Sequence, residues 1–131
     1  AEHILSQDEF SKWMGIRLID IKEKYCLIEM PIRKEMINGL KTVHGGVTFA
    51  FADSALAFSS NNTNEASVAL NCVINFTKAV MEGDVLRAES KLISDTRKTG
   101  LYEISITNQN QDLVASFRGT VYKLGKKSTD L

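Results

Sequence analysis

Residues 46–60 read Gly-Val-Thr-Phe-Ala-Phe-Ala-Asp-Ser-Ala-Leu-Ala-Phe-Ser-Ser, a helix-length segment that is alanine-rich and apolar nearly all round. A helix without a polar face does not belong on a surface; it must be covered on every side. Strand-like segments lie on both sides of it in the sequence. Val68, Leu70, Cys72, Ile74 and Phe76 alternate with other residues, as do Leu86, Ala88, Ser90 and Leu92 against Arg87, Glu89 and Lys91. Tyr102, Ile104 and Ile106 follow, then Leu113, Ala115, Phe117, Gly119 and Val121. Period-two alternation with polar partners predicts an antiparallel sheet with one packed face. The simplest architecture is α+β, with that sheet curled around the apolar helix. Ala50, Ala52, Ala55 and Ala57 are then small because backbone comes close.

The rest of the chain fits one domain spanning residues 1–131. Ser6-Gln7-Asp8-Glu9 ahead of Phe10, Trp13 and Met14 predicts a capped first helix ending at Gly15, its large residues on one face. Ile16 to Met30 contains two strands broken at Lys22-Glu23-Lys24. Pro31 to Val43 is a long irregular stretch, a common place for function in a compact domain. Glu82-Gly83-Asp84, Thr99-Gly100 and Asn110-Gln111 are turns. The tail is expected to fray from about Gly125.

Sixteen basic residues balance sixteen acidic ones. A neutral chain lacks the basic footprint of a nucleic-acid binder and has no general pull toward anionic membranes. No apolar run is long enough for a membrane span. Ala1-Glu2-His3 does not read as a secretory signal. Cys26 and Cys72 sit in strand-like runs and are read as buried free thiols, which suggests the cytoplasm. His3 and His44 are the only histidines, so no metal site is expected; no nucleotide-type glycine motif suggests a cofactor.

Four features converge near the central helix. Gly45 and Gly46 stand where free backbone N–H groups and the helix dipole favour developing negative charge. Glycine there either admits a ligand close to the backbone or makes a tight turn. Asp53 interrupts the apolar segment, and a buried carboxylate needs a task or a partner. Its other readings are a solvent-facing position or a bond to a nearby serine or asparagine. His44 could cap the helix, orient the loop or carry a proton. Asn38 could polarise a carbonyl or hold a water, yet Asn38-Gly39 also reads as a turn.

Taken together, Asn38, then Val43-His44-Gly45-Gly46-Val47-Thr48-Phe49-Ala50-Phe51-Ala52-Asp53, resembles the hotdog-fold thioesterases, in particular the PaaI-like subgroup of phenylacetic acid degradation. The aspartate follows the histidine by nine residues and the asparagine precedes it by six, as in that family's pattern. Ile74-Asn75-Phe76, Glu82-Gly83-Asp84, Thr99-Gly100-Leu101-Tyr102 and Val114-Ala115-Ser116-Phe117-Arg118-Gly119 extend the resemblance to about Leu124. One departure is the run Phe76-Thr77-Lys78-Ala79, where many relatives carry a proline. The resemblance implies a hotdog fold, with an antiparallel sheet wrapped around a long central helix, and an acyl-CoA thioesterase without cofactor. Asp53 would be nucleophile or general base, and Gly45 N–H would polarise the thioester carbonyl. Asn38 would orient substrate or water; His44 is a candidate catalytic residue beside them, and Gly46 a candidate substrate-binding residue.

Arg97 and Lys98, with Arg87 and Arg118, are candidates to meet the phosphates of CoA, although each also reads as a solvated residue. Phe58, with Phe10, Trp13, Met14, Met36 and Leu56, is a candidate acyl-pocket wall that reads equally as core. An aryl-acetyl or medium-chain acyl group is implied. Two alternatives stand beside hydrolysis, a hotdog dehydratase and a non-catalytic acyl-thioester binder; Asp53 at this position argues against both.

Eight helical residues separate Gly45 from Asp53, roughly 12 Å along the axis, while reacting groups need to approach to about 3–3.5 Å. A second chain can bring its Asp53 to the first chain's Gly45, and a two-fold dimer does so reciprocally. The expected assembly is a homodimer with shared sites; the family resemblance extends it to a homotetramer.

Overall fold

The computed structural model describes residues 2–63 and 65–127. Two short helices, α1 (Glu2–Gln7) and α2 (Glu9–Met14), lead into strands β1 (Arg17–Lys22) and β2 (Tyr25–Pro31). A single 3-10 turn at Lys34–Met36 interrupts the loop before the long helix α3 (Gly45–Ser60). Strands β3 (Glu65–Phe76), β4 (Val85–Asp95), β5 (Thr99–Thr107) and β6 (Leu113–Lys127) complete the chain. The six strands form one antiparallel sheet in the order β1-β2-β4-β5-β6-β3. Helix α3 packs against β2, β3, β4, β5 and β6, so the hotdog arrangement expected from the sequence is present.

The inner face follows the alternation closely in the middle of the sheet. Leu86, Ala88, Ser90, Tyr102, Ile104, Ile106, Ala115, Phe117 and Val121 are all buried. From the helix, Phe51, Ala52, Ala55, Leu56 and Phe58 meet them, while Ala50 and Ala57 are half-buried. Buried hydroxyls are paired across the same layer: Ser59 Oγ and Ser90 Oγ lie 2.7 Å apart, as helix–sheet burial of polar groups requires. Cys26 is fully buried and its Sγ donates to the Ala55 carbonyl at 3.3 Å; burial pushes its thiol up to about 12.

Several expectations need correction. The capped helix is the second rather than the first, and within Ser6-Gln7-Asp8-Glu9 the cap is Asp8: its carboxylate accepts from Ser11 N–H at 2.9 Å, and Gly15 closes the helix in the left-handed region at φ 82°. Phe10 and Trp13 do not share Met14's burial; they are 53% and 67% exposed, and the Arg33 guanidinium covers the indole at 5.2 Å from its centre. On β3, Val68 and Leu70 are exposed and Cys72 is only half-buried, because a register shift between Ala69 and Asn71 breaks the alternation on an edge strand. On β6, Leu113 is exposed and Val114 buried; the register against β5 shifts at Ile106/Thr107. The β4–β5 turn lies at Thr96–Lys98, so Thr99 and Gly100 already belong to β5. The last strand also runs beyond Gly125 to Lys127, and residues 128–131 lie outside the described residues.

Candidate active site

His44 is the N-cap of α3. Its Nδ1 accepts from Gly46 N–H at 2.9 Å, which leaves Nε2 to carry the ring hydrogen. Of the three roles open to it, capping is the one this bond performs. A β-carbon on Gly46 would stand 3.0 Å from that nitrogen, so glycine is what lets the imidazole lie over the helix opening. Neither Gly45 nor Gly46 has a positive φ. A tight turn therefore does not demand them; space does. At Gly45 a β-carbon would meet the Phe76 ring at 3.3 Å.

Asn38 holds the loop that delivers this opening. Its Oδ1 accepts from Leu40 N–H at 2.9 Å and Thr42 N–H at 3.2 Å, and its Nδ2 donates to Thr42 Oγ1 at 3.2 Å. A longer contact of 3.4 Å reaches the Val43 carbonyl. The segment is anchored from both flanks, Val43 N–H to the Val80 carbonyl at 2.8 Å and His44 N–H to the Met36 carbonyl at 2.9 Å. In this structure the Asn38 amide is spent on the turn, and it sets the position of Gly45 through its own loop.

Gly45 opens on a cavity of about 340 Å³ whose wall includes Thr42, Val43, Thr48, Phe76 and Val114. Asp53 opens on another, of about 170 Å³, with Leu56, Ser60, Ser67, Val68 and Ala69 around it. The two groups thus face separate cavities of one chain. Asp53 is half-buried, and no hydrogen bond or ion pair to its carboxylate is found among the described residues. Its proton is held more tightly than usual, first because burial penalises the charge and second because the Asp8 carboxylate is near. Asp8 is itself fixed by Ser11 Oγ at 2.7 Å, and that hydroxyl meets Ser54 Oγ of α3 at 2.8 Å in the core.

The remaining candidates are spread out. Phe58 has no exposed surface and packs within the hydrophobic core, so its ring belongs to the core rather than to a pocket wall. Met14 and Met36 are core as well. Leu56 is buried and also borders the Asp53 cavity. Arg97 and Lys98 occupy the β4–β5 turn, exposed and without an ion pair among the described residues. The register carries that turn toward Asp53: Thr99 pairs with Tyr122, and Tyr122 with Val68. Arg87 and Arg118 are committed elsewhere, to Glu29 at 2.9 Å and Glu103 at 2.8 Å. No cluster of metal-ligating side chains occurs among the described residues, and no helix among them is long and apolar enough to cross a membrane.

Two residues escaped the sequence reading. Asp8 looked like one of several polar residues ahead of a helix, and only the fold brings its charge near Asp53. Thr48 is 1% exposed, and its Oγ1 has no hydrogen-bond partner. Its sequence signal was weak: a hydroxyl three residues after Gly45, on the same helix face.

Residues 40–115 match the thioesterase superfamily. The chain is 35% identical to the acyl-coenzyme A thioesterase PaaI of Escherichia coli over 125 residues, which are 95% of this chain and 89% of that protein. The structure of the E. coli PaaI protein from the phenylacetic acid degradation operon superimposes with a TM-score of 0.94 at 34% identity, covering 96% of this chain and 91% of the other. A variant of the phenylacetic acid degradation protein PaaI from Thermus thermophilus superimposes with a TM-score of 0.86 at 28% identity, covering 89% of this chain and 100% of the other.

Proposed function

Because this chain belongs to the thioesterase superfamily and is a PaaI-like thioester hydrolase, we propose that it hydrolyses acyl-CoA thioesters carrying an aryl-acetyl or medium-chain acyl group. The proposed reaction adds water across the C–S bond and yields a carboxylate and the CoA thiol. The thioester carbonyl accepts from Gly45 N–H, where helix-end charge stabilises the oxyanion that forms. Asp53 of a second copy either attacks the carbonyl carbon or takes the proton of an attacking water. The Asn38-braced loop and the His44 cap hold Gly45 and Gly46 in place for it. Arg97 and Lys98 are assigned to the CoA phosphates, since both are exposed, without an ion pair among the described residues, and lie at the end of the sheet where Val68 of the edge strand borders the Asp53 cleft.

The observation that carries this reading is Asp53: a half-buried carboxylate without a partner among the described residues, on the wall of a cleft. A non-catalytic binder gains little from such a charge.

Shared sites are supported by the edge of the sheet. Strand β3 is an outer strand, and Val68, Leu70, Val73 and Phe76 on it are each about half exposed or more. An uncovered apolar edge of that length invites another strand. Phe76 adjoins Gly45, while Ser67, Val68 and Ala69 adjoin Asp53. Antiparallel pairing of β3 with its own copy therefore carries the Gly45 end of one protomer toward the Asp53 end of its partner. Two such dimers would form the tetramer, and two free thiols favour the cytoplasm as its compartment.

The test is thiol release from a panel that includes phenylacetyl-CoA and medium-chain acyl-CoAs. Wild type should release thiol, and Asp53→Ala and Asp53→Asn should abolish release while melting cooperatively. Near-wild-type turnover in either variant removes Asp53 from the mechanism. Wild type that binds acyl-CoA without releasing thiol establishes the binder instead.

A further inference from the structure

The wall of the Gly45 cavity carries a second hydrogen-bond donor. Thr48 Oγ1 is buried and unpartnered, the single such side-chain atom among the described residues. Leaving a hydroxyl unpaired out of water costs free energy unless something arrives to meet it. Helical threonines often return this bond to the carbonyl one turn back. Here the His44 carbonyl accepts from Val47 N–H at 2.9 Å, and Thr48 Oγ1 makes no bond to it.

Helix geometry directs the Thr48 side chain toward the turn that Gly45 begins: side chains tilt toward the N-terminus, and residues three apart share a face. Both residues line one cavity, with the Phe76 ring and Val114 as its apolar walls. Gly45 and Thr48 stand on the wall of that one cavity, and Thr48 carries its buried, unpartnered hydroxyl.

We infer that Thr48 Oγ1–H is a second donor to the thioester oxygen, acting with Gly45 N–H as negative charge gathers there. This rests on the reading of Gly45 as the carbonyl's anchor. One backbone donor leaves an oxyanion's remaining lone pairs unmet by the protein. A hydroxyl with no partner of its own is free to supply a second bond, and the bond strengthens as the carbonyl oxygen becomes anionic. Thr48 is thereby a catalytic residue, and its contribution belongs to the transition state more than to the bound substrate.

The test compares Thr48→Val, which keeps the shape and removes the hydroxyl, with Thr48→Ser, which keeps the hydroxyl. Steady-state kinetics use the acyl-CoA that wild type hydrolyses best, with Asp53→Asn measured alongside. Thr48→Val should lower kcat by about 100-fold with KM nearly unchanged, and its Tm should equal or exceed wild type because an unmet hydroxyl is gone. Thr48→Ser should keep most of kcat. Should Thr48→Val fail to fold, Thr48→Ala is read by the same kinetic criterion. Wild-type kcat in the valine variant, an equal loss in the serine variant, or a change confined to KM overturns the inference. If Asp53→Asn is inactive while Thr48→Val is unimpaired, only the role of Thr48 falls. If Asp53→Asn turns over normally, the site reading falls and takes this inference with it.

Discussion

Gly119 of β6 lies against Leu56 of α3 so closely that a β-carbon on the glycine would stand 2.6 Å from Leu56 Cδ2, and 3.1 Å from Phe117 Cε1. Leu56 is 2% exposed and borders the cleft of Asp53. Close contact of helix and sheet at this point thus seats the segment that carries the carboxylate. Gly119→Ala should cost about 1–3 kcal/mol by overpacking, in place of the small gain that alanine usually brings to a strand. Pairing it with Leu56→Val should recover part of the loss, because the two changes share one space. Chemical denaturation of the two single variants and the double variant checks this; a strictly additive double variant would place the cost elsewhere.

Asp53 sets a pH dependence whose sign is determined. Burial, and then the charge of Asp8, raises its carboxyl above the ordinary 3.8. The folded chain holds that proton more tightly than the unfolded chain does. The associated stability is therefore complete below the ordinary value and is lost as pH rises through the raised one. At neutral pH the charge works against folding. Asp53→Asn should melt above wild type at pH 7, and the difference should vanish as pH falls below 3.8. The acid limb of kcat/KM should likewise lie above 3.8 and move down in Asp8→Asn, where the like charge is gone but the cap is kept. Melts and rate profiles from acid to neutral pH decide it; a lower Tm for Asp53→Asn at pH 7 contradicts the sign.

The central helix was legible because few folds can accommodate an alanine-rich segment that is apolar nearly all round, and Asp53 stands out in it as its single carboxylate. The inner faces of β4 and β5 were legible for the same reason: they are covered, so alternation is enforced. Strand β3 was misread since both its faces hold apolar residues and an edge needs no strict alternation; its register shift is a property of pairing, which a sequence does not display. Trp13 was misread because a six-residue helix has too few turns for periodicity to identify its buried side, and Arg33 covers the indole from outside the core. Asn38 could be read two ways, and only hydrogen bonds show its amide committed to the loop. The network from Asp8 through Ser11 to Ser54 joins residues 43 positions apart at its core contact, beyond the reach of local pattern.

The last prediction concerns ownership of the site. About 12 Å of helix separates Gly45 from Asp53, they face different cavities of one chain, and chemistry needs near contact. Two inactive proteins can be mixed to test whether partners complete each other. One carries Asp53→Ala. The other carries Gly45→Val, which the helical backbone at Gly45 tolerates and which sets bulk against the half-exposed Phe76 ring where the carbonyl would enter. In a shared-site dimer, a mixed pair places both defects in one site and leaves the other intact. Random exchange makes half the dimers mixed, each with one of two sites working, so activity should return to about a quarter of wild type. If each site belongs to a single chain, every site in the mixture keeps its defect. Mixed dimers confirmed by native mass spectrometry that release no thiol would therefore refute the shared site, whatever the separate variants show.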